Sequence, residues 1–158
     1  VSVLETLSHK LAVQAAGLQL GSGGRPELSS SDLAGMLAGV SRGAEALGYA
    51  KLAGDPAEAR KLYAILHVLA SDWARLERWP VPRGSEQVGR LARLVRDDLI
   101  LTRALLGERA SARALGISRR AWREVWRHRH SRLLAMGTDW ECELRHKLSR
   151  EIYGGRDQ

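Results

Sequence analysis

Cysteine is almost absent from this chain: Cys142 is the only one. A lone thiol cannot close an intramolecular disulfide or build a cysteine-rich zinc site, so a reducing, cytoplasmic setting is expected. Long apolar runs are missing too. Nowhere do about eighteen apolar residues follow one another, so no segment is expected to span a bilayer. The first residues lack a basic stretch followed by an apolar core and a cleavage site, and no secretory signal is expected. No helix pairs a strongly apolar face with a uniformly basic one, so a membrane is not an expected partner. Alternation of apolar and polar residues with β-branched enrichment is also lacking, which leaves no convincing strand. Internal repeats and low-complexity tracts are absent.

What the chain does have is positive charge in one place. Its 158 residues, 44% hydrophobic and 27% charged, describe an ordinary globular domain. The formal net charge of +7 favours a polyanionic partner, most often nucleic acid. Between Arg103 and Arg132 stand nine arginines against Glu108 and Glu124, so this segment holds the whole excess.

The remaining pattern predicts an all-α protein: a compact helical domain with a C-terminal helix-turn-helix. Residues 1–27 read as an N-terminal helix (Val3–Leu20) and a flexible glycine-rich linker. That glycine run lacks the lysine and flanking strand of a phosphate-binding loop. Residues 28–158 read as one helical domain. Ser31 is expected to cap a helix from Asp32 to about Leu52. Gly54, Asp55 and Pro56 then supply a stop, a cap and a first helical residue. A helix from Pro56 to about Trp79 carries Leu62, Ile65, Leu66 and Leu69 on one face. Prolines 80 and 82 end it, and Ser85 can cap a helix over about Glu86–Leu106. Gly107 interrupts. Gly137 is expected to close the recognition helix, and Thr138 with Glu141 looks like a capping box for a last helix to about Tyr153. Gly154 and Gly155 end the order.

The helix-turn-helix, about residues 108–135, is centred on Ala112–Trp126. Ala112 is small where two helices must approach, and Gly116 can take the positive φ that ends the first. Ile117 plugs the space between them, and Ser118 caps the second helix. Trp122, Val125 and Trp126 then face Ala112, Leu115 and Ile117. That favours core packing for both tryptophans over stacking on single-stranded bases. The opposite side carries Arg119, Arg120, Arg123, Arg127 and His130. In such a unit the start of the second helix meets base edges in the major groove. Arg119, Arg120 and Arg123 are therefore candidates for base reading or phosphate clamping, and Ser118 at the helix start is counted with them as a DNA-binding residue. Arg109, Arg113 and Arg127 are candidates for phosphate contacts, which position without reading sequence. His128, His130, Cys142 and His146 lack zinc-module spacing, and Asp97 and Asp98 diverge on a helix. No nucleophile–base constellation is visible. Neither an enzyme nor a cofactor or metal is expected.

With the DNA-binding unit last in an all-helical chain, the sequence resembles the Q antitermination proteins of lambdoid phages. Residues Leu28 to Met36, continuing to Leu47–Lys51, are similar to the family's Thr-Asp-Val-Met-Ala-Ala segment and its following Gly-Phe-Gly block. Leu69 to Arg75 is similar to its Ala-Asp-Tyr-Cys-Arg stretch, and Leu115 to Trp122 to its Leu-Thr-Gln-Pro-Thr-Trp turn. The pieces fall in the same order over roughly Leu28–Ile152. One departure is clear: relatives with a zinc ribbon carry two cysteine pairs after the second block, whereas Trp79–Gln87 holds none. The likeness is thus to a zinc-less relative, such as an AlpA-type regulator of bacterial or prophage origin.

The resemblance implies a factor that binds double-stranded DNA near a promoter, with one or more protomers. It would engage paused RNA polymerase with its sigma factor and hinder pause and terminator hairpins. Two other readings of a helix-turn-helix remain open: an ordinary transcriptional repressor or activator, and a phage packaging protein like a small terminase subunit.

Overall fold

The structure, a computed structural model, describes residues 30–101 and 107–153. The helix expected over Val3–Leu20, the glycine-rich linker and the Gly154–Gly155 end lie outside these residues. Every regular element among those described is helical.

Helix α1 spans Ser30–Leu37 and α2 spans Arg42–Leu52. The single helix expected from Asp32 to Leu52 is therefore two, and Ser31 lies inside α1 rather than capping it. Gly39 makes the break by adopting φ +83°, a conformation costly for residues with a Cβ. Ser41 then stands at the N-cap of α2 without capping it through its own side chain. Instead its backbone N–H and its hydroxyl both donate to Glu143, at 2.7 and 2.6 Å. A carboxylate 102 residues away thus supplies the negative charge that a helix N-terminus favours.

Helix α3 runs Pro56–Leu76 and starts as expected: Gly54 takes φ +63°, and Asp55 accepts from Ala57 N–H at 2.8 Å. Helix α4, Gln87–Leu101, is preceded by Ser85, whose hydroxyl accepts from Gln87 N–H at 3.1 Å. Residues 102–106 at its expected end lie outside the described set. Helix α5 spans Glu108–Leu115.

The last element departs most from expectation. Helix α6, Arg119–Ala121, passes through a π-helical turn, Trp122–Trp126, into α7, Arg127–Tyr153, with helical backbone at both junctions. Neither Gly137 nor Thr138 interrupts it. A Cβ on Gly137 would lie 2.9 Å from Leu99 Cγ and closer still to both methyls. The glycine thus admits α4 to the surface of α7; it does not end a helix. Thr138 donates its hydroxyl back to the Leu134 carbonyl at 3.1 Å, a use compatible with continuing helix.

Helix α7 is the spine. Helices α1, α2 and α4 all pack on it, α3 packs on α2 and α4, and α5 packs on α4. Leu133, Gly137, Trp140, Leu144 and Leu148 recur every three or four residues and form its inward stripe. Leu47, Leu62, Leu66, Leu91 and Val95 meet the upper part of that stripe in one core. No helix among the described residues is long and apolar enough to cross a membrane.

Candidate nucleic-acid interface

The turn between α5 and α6 is built by local chemistry. Gly116 takes φ +69° and donates to the Arg113 carbonyl at 3.0 Å. Ile117 N–H reaches back to the Ala112 carbonyl, also at 3.0 Å. Together these are the paired bonds of a Schellman ending, with Ile117 in the following apolar position. Ser118 then begins α6, its hydroxyl oxygen accepting from Ala121 N–H at 3.0 Å. Ala112, Leu115, Trp122 and Trp126 are buried in the same core, with Ile117 and Val125 packed against it. Both tryptophans therefore serve packing, and neither offers a free face for bases.

The π turn sets which side chains point out. Its last bond runs from Arg127 N–H to the Trp122 carbonyl, five residues back. In a regular α-helix, residues eight apart sit about 80° out of line. A wider turn removes much of that rotation, and Trp122, Trp126 and His130 all face inward. His130, expected beside the arginines, is accordingly buried. Its Nε2 shares a 2.8 Å hydrogen bond with Asp98 of α4, each side chain 4% exposed. Trp122 lies against the same imidazole, ring centres 5.4 Å apart.

Two arginines of the basic segment are likewise structural. Arg129 lies over the rings of Trp79 (4.9 Å) and Trp126 (5.7 Å) and donates to the Val125 carbonyl. Burial lowers its pKa, with Glu77 acting in the opposite sense. Arg132 covers Trp73 at 4.0 Å and pairs with Glu77. Glu77 also accepts from Trp79 Nε1 at 2.9 Å, and these two hydrogen bonds, the tryptophan's foremost, hold its carboxyl below the usual range. The cluster fastens the segment after α3 to the start of α7.

Arg109, Arg113, Arg119, Arg120, Arg123 and Arg127 are all exposed, on α5 and on the helix that follows the turn. Glu108, the first residue of α5, brings two of them together: its Oε1 accepts from Arg123 Nε at 2.8 Å and Arg119 Nε at 3.4 Å. Arg120 pairs with Glu124 along its own helix at 2.9 Å. Among the described residues, Arg109, Arg113 and Arg127 stand exposed outside that cluster. Ser118 lies at the turn, its oxygen committed to the cap.

Two further residues border this surface. Arg90 of α4 lies so close to the turn that a Cβ on Gly116 would run into its guanidinium. Arg90 and Arg93 line a cleft of about 420 Å³ with Glu86, Asp97 and Ala114. Neither Arg90 nor the bridging role of Glu108 is signalled by spacing, because both depend on how separate helices pack. No cluster of three or more His, Cys, Asp or Glu side chains among the described residues is arranged to hold a metal ion.

Compared with models of protein families, with curated proteins and with solved structures, the chain matches none.

Proposed function

We propose that this protein binds double-stranded DNA through a helix-turn-helix formed by α5, the Gly116–Ser118 turn and the helix beginning at Arg119. One observation carries the reading. Arg119, Arg120 and Arg123 project to solvent from the first two turns of a helix whose start is fixed by a Schellman ending and a serine cap. A rigid helix start bearing several guanidinium groups suits bidentate contact with guanine in the major groove. Arg109, Arg113 and Arg127, with Arg90 beside the turn, add positive charge for phosphates. The inward packing of Trp122 and Trp126 favours duplex DNA over a single strand, since neither ring is left as a stacking platform.

Within that class the protein acts as a Q-type antitermination factor, loading from a promoter-proximal DNA element onto paused RNA polymerase. This finer step rests on the ordered resemblance of its sequence segments. The test is transcription in vitro, with RNA polymerase and sigma factor, from the promoter adjoining its own coding region through a terminator. Added protein should raise read-through. A change in initiation with no gain in read-through would replace antitermination by promoter regulation. Failure to retain any duplex would end the DNA-binding reading.

A further inference from the structure

We infer that Glu108 is a specificity-determining residue, one that orients Arg119 and Arg123 for base reading and restrains their binding to phosphates. The inference rests on the DNA-binding reading above. Glu108 sits on α5, whereas both arginines sit beyond the turn, so the contact spans the two helices. Its side chain is 29% exposed, against 58% for Glu124, which meets one arginine on its own helix. The two carboxylates therefore differ: Glu124 pairs with one arginine within its helix, while a single oxygen of the less exposed Glu108 joins two elements by accepting from both arginines.

The atoms engaged are informative. Glu108 takes the Nε–H of both arginines, at 2.8 and 3.4 Å. Each guanidinium still has its terminal Nη groups, a parallel pair of donors able to meet the O6 and N7 of guanine end-on. A side chain fixed at Nε loses less freedom on binding than one that must be ordered from solution. The carboxylate also cancels one of the two positive charges. Binding to DNA of any sequence depends on charge through counterion release, so this cancellation weakens it wherever no base completes the contact. Orientation favours the right site and charge disfavours the wrong ones.

The experiment selects duplexes from a pool with a randomised 20-base-pair core using the whole wild-type chain. Affinities for the selected duplex and for a scrambled one of equal composition are then measured over a range of salt. For Glu108→Gln, the scrambled duplex should bind roughly five- to tenfold tighter at 0.1 M salt, with a log–log salt slope steeper by about 0.9. The ratio of selected to scrambled affinity should fall about tenfold, the lower range for one lost base-reading arginine. Glu124→Gln makes the same charge change but frees only Arg120, within its own helix and at a more exposed carboxylate, so its ratio should fall by clearly less than that of Glu108→Gln. Equal ratios in the two variants, or an unchanged ratio in Glu108→Gln, would overturn the inference. Should Glu108→Gln fail to fold, Glu108→Asp keeps the charge but shortens the reach. Its ratio should fall with scrambled binding unaltered, and a wild-type ratio there overturns the inference equally. If the wild-type chain enriches no sequence at all, the DNA-binding reading itself has failed, a result distinct from the others.

Discussion

Gly137 of α7 and Leu99 of α4 touch where neither helix leaves room for another carbon: a Cβ on the glycine would come within 2.9 Å of Leu99 Cγ. Alanine in place of a helical glycine ordinarily stabilises by up to about 1 kcal/mol. Here overpacking, about 1–3 kcal/mol, outweighs that gain. Gly137→Ala should therefore lower stability by about 1 kcal/mol in denaturant unfolding. Combined with Leu99→Ala it should cost less than the sum of the two changes, because the smaller residue frees the space. A higher midpoint for Gly137→Ala alone would show that the contact gives way freely.

The buried pair His130–Asp98 makes a second expectation. Removing one partner strands the other in a site with almost no water, at about 1–3 kcal/mol for the unsatisfied group. Asp98→Ala should show that loss in urea unfolding, while Asp98→Asn, which keeps an oxygen acceptor, should lose less. Replacing both residues by leucine should cost less than the two single leucine changes added together, since no polar group is then left alone. Strict additivity would mean that the hydrogen bond contributes nothing.

Glu77 carries a pH dependence whose sign is fixed. Its carboxyl is held below the ordinary range, first by the Trp79 hydrogen bond and then by Arg132, so the folded state binds that proton less readily than the unfolded chain. The stabilisation is present above the ordinary carboxylate pKa and is lost as pH falls through the folded value. Thermal melts between about pH 6 and 3 should therefore decline less steeply for Glu77→Gln than for the wild type. Parallel curves would remove Glu77 from the acid-sensitive groups.

The arginines should divide into two groups under alanine substitution. Arg119, Arg120 and Arg123 should each cost about 1–3 kcal/mol at the preferred site and relax sequence preference. Arg109, Arg113 and Arg127 should weaken all duplexes alike and reduce the salt slope by roughly 0.9 each. Quantitative binding titrations at several salt concentrations separate the two patterns. If the first group behaves like the second, the helix beginning at Arg119 is not the reading element.

The parts of this fold that could be read in the sequence are those made by neighbours in the chain. Asp55, Ser85 and Ser118 cap helices through bonds to residues two or three positions on, and Gly116 needs only its own φ to end α5. Residue type and spacing suffice there. Gly137 looked like a stop because a glycine's freedom and its smallness leave the same letter, and only the presence of Leu99 distinguishes them. The support for the restart of α2 at Ser41 comes similarly from Glu143, which reaches it from across the molecule. A regular helical repeat puts His130 outward, and the π turn over Trp122–Trp126 brings it in. At the candidate interface, spacing points to arginines that the structure leaves exposed, whereas Glu108 and Arg90 emerge only from the packing of α5 and α4.

The uninterrupted course from Arg119 to Tyr153 makes one stiff beam of the protein's carboxyl-terminal part. At about 1.5 Å per residue it is roughly 50 Å long, near the width of a small protein. Its far half is clasped by α1 and α2, and its near half is tied to α4 and α5, with the exposed arginines on its outer side. Held along its length by four other helices, the beam passes a displacement at one end on to the other, so the face that begins at Arg119 is set by how all four seat on it.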